Sequence, residues 1–534
     1  MPHPILAQAA ADISYWPLGI LAISVAFIFV SIIKLKLHPF LALIFAAILT
    51  GLLVGDLPGM TTENVGLFKS RVDLNATPTD TGNDMLLAVN WALLGFGNTA
   101  AGIGFVVALA AIIGVCMLGS GAADRVVRWL LSVFGEKRAG LVLLSSGFLL
   151  SIPVFFDTVF FLLIPLARAL SLRTGKSYTL FVMAMAGAGA ITHSMVPPTP
   201  GPLMIAEGLK LDLGIAMMAG LAASVLPAWL VLVLAKRFDR KYNLPMREAA
   251  GASTSELKSI VDKKDSELPS LFLSALPIAL PVILISLVSI LNLVAKESVS
   301  GAAWFRYLEF FGSPNIAMLL AALVAIYTLA TQTIREKRPM EGGLMSTLSK
   351  ALEDPLQTAG VIILITGAGG AFGGMIRLAG VGETIEAVAT SYNISLILLA
   401  WGATAVVRIA QGSATVAMIT GVGLMSAVIG DGSSLPYHPL YIFLAIGFGS
   451  ITLSWMNDSG FWVVQRLSGF TEKETLKTWT VMLTAISVAG LLQVLVMAKV
   501  LPMKPVPAQK TSQVSSVPVL GSTAPDGLPP HRRR

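Results

Sequence analysis

The chain has 534 residues, of which 55% are hydrophobic and 13% are charged, and its mean hydropathy is +0.78. Soluble domains carry about 25% charged residues, so this composition excludes an ordinary soluble protein. Long apolar runs recur, for example at residues 18–33 and 215–235. They predict helices that cross a bilayer core of about 30 Å, and their lack of alternation excludes a β-barrel. The predicted fold class is an all-α polytopic membrane protein, multi-pass in the plasma (inner) membrane.

The remaining composition excludes several other classes. Cys116 is the only cysteine, which excludes an intramolecular disulfide and a Cys-based metal site. The N-terminus lacks the basic region of a cleaved signal, so residues 18–33 are predicted to be a retained span. The net charge of +7 does not require nucleic acid as a partner, because the Lys and Arg residues concentrate in a few loops, as membrane orientation requires.

About ten spans and two re-entrant hairpins are predicted from the apolar runs and their basic flanks. The predicted spans are residues 18–33, 38–55, 98–119, 178–210, 214–235, 269–293, 314–333, 357–378, 440–456 and 478–499. A first hairpin at residues 139–170, broken at Pro153, has basic flanks on both sides, which predicts entry from the cytoplasm; a single kinked span is the alternative. A second hairpin at residues 394–428 lies in a region whose only basic residue is Arg408, which predicts entry from outside.

Two polar segments are predicted to lie outside the membrane. The loop at residues 236–268 carries eight Lys and Arg residues and is therefore predicted to be cytoplasmic. The tail at residues 501–534 is rich in Pro and Ser, which predicts disorder. The rest of the chain, residues 1–500, is predicted to form a single transmembrane transporter domain.

An internal repeat is visible within this domain. "AMAGAGAITHSMVPPTPG" (184–201) resembles "LAIGFGSITLSWMNDSG" (444–460), with five identities at a constant offset of 260. Each copy follows a predicted hairpin, and the basic residues give the two halves opposite orientations. The pattern predicts inverted repeats at residues 98–235 and 357–499, an architecture of many secondary transporters. The alternative is that membrane helices rich in small residues resemble one another by composition.

The two repeated segments also predict breaks in membrane helices. "THSMVPPTPGP" and "SWMNDSGFW" place non-helical backbone at membrane depth, which survives only in protein or beside an aqueous cavity. Half-helix N-termini at such breaks favour an anion. Hydroxyls and amides there are candidate substrate ligands, although each is equally explained by helix packing. These candidates are Thr192, Ser194, Thr199, Ser454 and Asn457.

Four ionisable residues, Asp157, His193, Arg408 and Asp458, fall in these hairpins and breaks. Intramembrane charges mark a transport pathway or an ion pair. Arg408 is the best candidate for binding a carboxylate through both oxygens, with Gln411 and Ser413 beside it. Asp157 and Asp458 are candidate proton carriers, because removal from water favours a neutral carboxyl group.

Each of these roles has a structural alternative. Arg408 would pair with Asp157 or Asp458 without binding substrate. Asp458 would cap the helix that begins at "SGFWVV". His193 would either shuttle protons or bond a backbone carbonyl group.

The sequence disfavours enzymes and ATP-driven pumps. The glycine-rich run "TGAGGAFGGMIRLAG" (366–380) lies in apolar sequence without a P-loop lysine, so it indicates close helix packing. "RTGKS" (173–177) lacks the glycine that a P-loop requires at position 170, which is leucine. No metal-ligand cluster and no nucleophile–base motif is recognisable in the sequence.

Seven motifs together resemble the gluconate:proton symporter (gluconate permease) family of the ion-transporter superfamily. They are "IIKLKLHPFLALIFAAILTGL", "FGEKR", "PVFFDTVFFLLIPL", "THSMVPPTPGP", "GAGGAFG", "RIAQGSATVAM" and "NDSGFW". The resemblance implies inverted repeats with paired hairpins and proton-driven import of gluconate and related sugar acids or hydroxy acids. Three positions depart from the family pattern: Asp157 replaces a common glutamate, and Thr199 and Trp455 each replace a common histidine.

The prediction is a secondary active importer of a gluconate-like sugar acid or small hydroxy monocarboxylate, proton-coupled and working by alternating access. Arg408 and the two breaks are predicted to hold the substrate, while Asp157 carries the coupling proton. A sodium/proton antiporter of the same superfamily is the alternative. The expected partners are a small organic anion, protons and the lipid bilayer, with a homo-oligomer left open and no cofactor, metal or nucleic acid.

Overall fold

The computed structural model describes residues 14–55, 57–58, 83–174, 177–247, 265–295, 302–340, 342–382, 384–385, 395–429 and 435–503. These residues form helices joined by short turns, and no strand occurs among them. Seven described helical segments are long and apolar enough to cross a membrane, and shorter apolar helices of 10–17 residues accompany them. The predicted all-α polytopic fold is confirmed. Most of the loop at residues 236–268 and of the tail at residues 501–534 lies outside the described residues.

Apart from the early start of the helix Asp84–Gly119, the helices of the first half lie close to the predicted spans and the first predicted hairpin. They are α1 (Trp16–Phe29), α2 (Pro39–Val54), α3 (Asp84–Gly119), α4 (Ala122–Phe134), α5 (Ala139–Leu150), α6 (Phe156–Thr174), α7 (Tyr178–Met195), α8 (Pro200–Gly208), α9 (Leu213–Ala223) and α10 (Val225–Tyr242). A π-helical turn, Val30–Lys34, extends α1. The amphipathic helix α4 lies in the basic flank before the first hairpin, where no span was predicted, because its polar face interrupts the apolar run.

The second half continues with the helices that carry the second hairpin and the second break. They are α11 (Leu271–Val294), α12 (Ala303–Gly312), α13 (Pro314–Arg335), α14 (Gly343–Leu378), α15 (Leu396–Gln411), α16 (Ala414–Ile429), α17 (Leu440–Gly449), α18 (Ser459–Ser468), α19 (Glu472–Thr475) and α20 (Val481–Val500). A π-helical turn, Leu476–Thr480, joins α19 to α20.

Helices α3 and α14 are each 36 residues long and pack against each other over much of their length. Both begin well before the predicted spans. The first turns of α14 are rich in polar and charged residues, whereas residues 85–97 of α3 are mostly apolar, so the predicted span at residues 98–119 starts too late. The glycine-rich run of α14 makes this packing close. A Cβ atom at Gly370 would lie 1.9 Å from Oγ1 of Thr99, and one at Gly369 would lie 1.7 Å from Cγ2 of Ile419 on α16. The run therefore packs helices together, as its sequence predicts.

Two helical hairpins and two interrupted helices surround the centre of the bundle. Helices α5 and α6 meet at residues 151–155, and α15 and α16 meet at Gly412 and Ser413. Residues 196–199, which include the cis Pro197–Pro198 bond, separate α7 from α8. Residues 450–458 separate α17 from α18, and within them Leu453 has a φ of +47°. A left-handed backbone is costly for leucine and persists only where the surrounding packing imposes it.

Gly412 ends α15 with a φ of +90°, and a Cβ atom there would lie 2.1 Å from the backbone oxygen of Asn457. We therefore expect Gly412→Ala to lower the free energy of unfolding by about 1–3 kcal/mol. Gly402→Ala in the same helix is the control, because nothing lies within 4 Å of its Cβ position. Thermal unfolding of the purified variants in detergent measures both effects. Equal melting temperatures for the two variants would contradict the expectation.

Candidate functional site

A cavity of about 300 Å³ lies where the two hairpin tips meet the two helix breaks. Asp157 reaches it from the first tip, and Arg408 and Ser413 reach it from the second. His193 lines it from the last turn of α7, and Asp458 lines it from the second break. Residues about 300 positions apart in the chain therefore share one polar cavity inside a membrane-embedded bundle.

Four helices point their N-termini at this cavity. The residues that line it from these ends are Thr158 on α6, Pro200 on α8, Ala414 and Thr415 on α16, and Ser459 and Gly460 on α18. The first N–H groups of a helix have no partner within the helix, and each N-terminus carries roughly half a positive charge. Four such ends around one cavity make it a favourable place for an anion.

Arg408 and Asp458 form a buried ion pair at the wall of the cavity. Nη2 of Arg408 lies 2.5 Å from Oδ2 of Asp458, and their side chains are only 3% and 8% exposed. Ser454 donates a hydrogen bond to the same carboxylate oxygen, and the backbone N–H of Gly460 donates to Oδ1 at 3.0 Å. Asp458 is thus both the partner of Arg408 and the N-cap of α18, as the structural alternatives predicted.

The ion pair does not use all of the Arg408 guanidinium group. Its Nε and Nη1 atoms are buried and have no hydrogen-bond partner among the described residues. Buried donors without a partner are costly, and guanidinium donors most often bind planar anions. Because Arg408 lines the cavity, these two nitrogens are suited to bind a carboxylate there.

Asp157 and His193 are the other titratable groups at the cavity. The Asp157 side chain is exposed to the cavity and forms no hydrogen bond or ion pair with the described residues. It lies in the first turn of α6. Nδ1 of His193 is buried and likewise has no partner among the described residues. Both groups are therefore available to a ligand or to a proton in the cavity.

Several predicted ligands lie off the cavity wall and bond to the protein instead. Thr192 donates to the carbonyl of Ala188 at 3.1 Å, which is an ordinary helix-packing bond. Gln411 donates to the carbonyl of Ser413 at 2.7 Å, within the hairpin turn. Ser194 and Ser413, in contrast, line the cavity.

Two positions that depart from the family pattern also support the breaks. Thr199 donates to the carbonyls of His193 and Val196, at 3.0 and 2.7 Å. Trp455 donates to the carbonyl of Ile409 at 3.0 Å. Asn457 binds this same carbonyl at 2.8 Å, so both side chains of the second break cap the end of α15. In this structure, the side chains of Thr199 and Trp455 therefore both bond to backbone carbonyl groups.

Trp479 is a residue of the site that sequence reasoning missed. It lies in the π-helical turn before α20, lines the cavity and is 2% exposed. Its indole Nε1 donates to Oγ of Ser454 at 2.7 Å, and its ring stacks on Phe156 with centroids 5.5 Å apart. Trp479 therefore connects the Asp458 network to the first hairpin tip. π-Helical turns often occur at functional sites, but apolar periodicity does not reveal them.

We expect Trp479→Phe to lower the free energy of unfolding by about 1–2 kcal/mol, because the variant keeps the stack and loses the hydrogen bond to Ser454. A double-mutant cycle with Ser454→Ala in purified protein measures that bond. The losses of stability in the two single variants should not add in the double variant, because both variants remove the same hydrogen bond. Trp229→Phe, at a side chain that is 61% exposed, is the control and should change stability by less than about 0.5 kcal/mol. Strict additivity would exclude the coupling.

The overall arrangement of helices occurs in solved transporter structures. The Alcanivorax borkumensis YdaH transporter matches with a TM-score of 0.54 and 14% sequence identity, over 88% of this chain and 100% of that chain. The Neisseria gonorrhoeae efflux pump MtrF matches with a TM-score of 0.58 and 14% identity, over 86% and 95% of the two chains. At 14% sequence identity, this similarity shows a shared fold.

Sequence comparison finds relatives over almost the whole chain. A gluconate permease of Pseudomonas aeruginosa is 34% identical over 476 residues, which is 88% of this chain and 95% of that protein. An L-idonate transporter of Escherichia coli is 30% identical over 91% of this chain and 100% of that protein. The model of the GntP family of permeases matches residues 80–500. This chain therefore belongs to the GntP permease family and is a multi-pass membrane transporter, not an enzyme.

Proposed function

We propose that this permease is a proton-coupled importer of a gluconate-like sugar acid or small hydroxy monocarboxylate. The observation that carries the proposal is the Arg408 guanidinium group, which has two buried nitrogens without described partners at a cavity faced by four helix N-termini. A carboxylate fits this set of donors, because both of its oxygens accept hydrogen bonds from a planar fork. The names of the relatives, gluconate permease and L-idonate transporter, support the same class of substrate.

The hydroxyl groups of the substrate have partners on the same wall. Ser413 and Thr415 line the cavity beside Arg408, and Ser194 lines it from the last turn of α7. In the proposal, the carboxylate binds Arg408 while the hydroxyl chain extends toward these residues. Thr192, Thr199, Ser454, Asn457 and Gln411 then act indirectly, by holding the breaks and the hairpin turn in place.

Asp157 is proposed to carry the coupling proton. It faces the cavity that binds the anion and forms no ion pair with the described residues. A proton on Asp157 removes a negative charge next to the arriving substrate, so proton and anion favour each other's binding. Asp458 is a weaker candidate, because both of its oxygens are already bonded, to Arg408, Ser454 and the backbone N–H of Gly460.

Alternating access is proposed to follow from two inverted repeats, residues 98–235 and 357–499, within one transmembrane domain. Each repeat contributes one hairpin tip and one helix break to the cavity. Rocking or gating of one unit against the other around a fixed central site is the usual consequence of such symmetry. The match with two transporter folds is consistent with this mode of action.

The test is uptake of radiolabelled gluconate into proteoliposomes under an imposed pH gradient. Accumulation above the external concentration, abolished by a protonophore, is the expected result. Uptake that needs a sodium gradient and persists without a pH gradient would exclude proton coupling. Failure to transport gluconate, idonate and smaller hydroxy acids would exclude the proposed substrate class.

The sodium/proton antiporter makes a different prediction in the same vesicles. A pH-sensitive dye inside them would respond to a pulse of sodium with no organic acid present. The importer should give no such signal, and it should acidify the lumen only when gluconate is added. A sodium-driven signal alone would favour the antiporter.

A further inference from the structure

A second cavity, of about 350 Å³, lies between α3, α8, α14 and α16. Its polar lining residues are Asn98, Thr99, Glu207, Lys210, Arg377 and Ser426. Gly373 and Gly374, from the glycine-rich run in α14, form part of its wall, so backbone atoms are exposed to the cavity there. This cavity is separate from the cavity at Arg408, and the proposed function assigns it no role.

The two cavities lie one behind the other along the same three helices. Helix α16 lines the first cavity with Ala414 and the second with Val422, about 12 Å further along the helix. Helix α14 likewise passes from Thr358 at the first cavity to Arg377 at the second. Helix α8 runs from Pro200 at the first cavity to Glu207 at the second. A ligand that moves along these helices would pass from one cavity to the other.

Met418 lies between the two cavities. It is on α16 between the segments that line them and is fully buried. A Cβ atom at Gly201 on α8 would lie 2.0 Å from its Cε, so Met418 closes tightly onto that backbone. Methionine is unbranched and changes rotamer readily. A flexible apolar side chain therefore lies between the cavities at this point.

The second cavity is on the side of the protein opposite its basic loops. Helix α10 ends in Arg240 and Lys241, and α13 ends in Arg335, at the face from which α14 starts. The second cavity is formed at the other end of α14. The positive-inside tendency assigns the basic face to the cytoplasm, so the second cavity faces outward.

The second cavity has two cations in its lining. Arg377 and Lys210 both line it, and Glu207 supplies one negative charge, which leaves a formal charge of +1. Cations at such positions attract small anions from solution and raise their local concentration. The amide of Asn98 and the hydroxyl of Thr99 provide neutral partners for a hydroxylated chain.

We propose that this outer cavity is a first binding site for the substrate, in which Arg377 and Lys210 bind the carboxylate before it reaches Arg408. The inference rests on the proposed import of a hydroxy monocarboxylate. Met418 separates this outer cavity from the cavity at Arg408. Displacement of its side chain from Gly201 would therefore admit the substrate to the Arg408 cavity.

Uptake kinetics test the role of the two cations. Lys210→Gln and Arg377→Gln should each raise the gluconate concentration for half-maximal uptake by about tenfold and leave the maximal rate within about twofold. Arg306→Gln is the matched control, because Arg306 is an exposed cation on α12 at the same face, outside the cavity, and it should change neither value. Unchanged half-maximal concentrations in both variants would overturn the proposal.

A labelling experiment tests the site without relying on transport. In a chain whose one native cysteine, Cys116, is buried, Thr99→Cys should react from outside with membrane-impermeant thiosulfonates. A sulfonate-bearing reagent should react about tenfold faster than an ammonium-bearing one, and Lys210→Glu should reverse the preference. Reaction only after permeabilisation, or no preference for the anionic reagent, would overturn the outer anion site even if gluconate is transported.

Protection from labelling identifies the ligand class. Gluconate should slow the reaction at Thr99→Cys, whereas uncharged glucose should not. Ala303→Cys on α12 is the control for the same face and should react equally with and without gluconate. If glucose protects as well as gluconate, the cations do not select the carboxylate and the proposal is wrong. If wild-type protein fails to transport gluconate but gluconate still protects Thr99→Cys, only the proposed function fails.

Discussion

A protein that carries Arg408→Gln and Asp458→Asn together is expected to fold but to lose at least about 30-fold in gluconate uptake. The double change replaces a buried ion pair with two neutral amides, so no uncompensated charge remains inside the bundle. Asparagine also keeps the N-cap of α18, because it is as good a cap as aspartate. The guanidinium fork is gone, however, and loss of a buried charged partner costs a bound anion about 2–5 kcal/mol.

The single variants separate stability from transport. Arg408→Gln alone leaves the Asp458 carboxylate buried without its cation, so we expect it to lose about 3–5 kcal/mol of stability. Melting temperatures in detergent should therefore be lower for Arg408→Gln than for the double variant, while neither accumulates gluconate. Arg408→Lys preserves the charge without the fork and should also transport poorly. Normal uptake by the double variant would show that Arg408 serves the fold alone.

Asp157→Asn is expected to abolish accumulation of gluconate against a gradient while the protein remains in the membrane. Asparagine is nearly the same size as aspartate but cannot take up and release a proton. The variant should still exchange labelled for unlabelled gluconate across the membrane when the concentrations on the two sides are equal. Counterflow and uphill uptake, measured in the same proteoliposomes, separate these two activities.

Asp157→Glu is the matched control for the coupling proton. It keeps a titratable carboxyl group at this position, so uphill accumulation should persist. The cavity has room for the extra methylene group, because the Asp157 side chain is exposed to it. Uphill uptake that survives unchanged in Asp157→Asn would assign the coupling proton to another group, with His193 the next candidate.

Most of the membrane architecture could be predicted from the sequence. Apolar runs located the spans, because burial in a bilayer requires about 20 apolar residues and the backbone must bond internally. The breaks at "VPPTPG" and "NDSG" and the hairpin turns at Pro153 and Gly412 were also visible, because proline, glycine and small polar residues interrupt helices. The early start of α14 was not visible, since its first turns are too polar for an apolar run, whereas the early start of α3 was missed although residues 85–97 are mostly apolar.

The candidate site was predicted as a set of residues but not as a geometry. The sequence did not distinguish Asp157 from Asp458 as the ion-pair partner of Arg408, because spacing along the chain does not report distances between hairpins. The structure pairs Arg408 with Asp458 and leaves Asp157 at the cavity. It also brings in Trp479, whose position depends on a π-helical turn that has no pattern in the sequence.

The sequence by itself determined that this protein is a polytopic helical membrane protein with broken helices, since hydropathy, basic loops and local breaks are local properties of the chain, and its motifs carried the resemblance to the gluconate permease family. Only the tertiary structure decided which polar groups face the cavity and which hold the backbone. Thr199 and Asn457 bond to nearby carbonyls, whereas Asp157 and two nitrogens of Arg408 have no described partner at the cavity. That division depends on distances between segments hundreds of residues apart, which packing of the whole bundle sets.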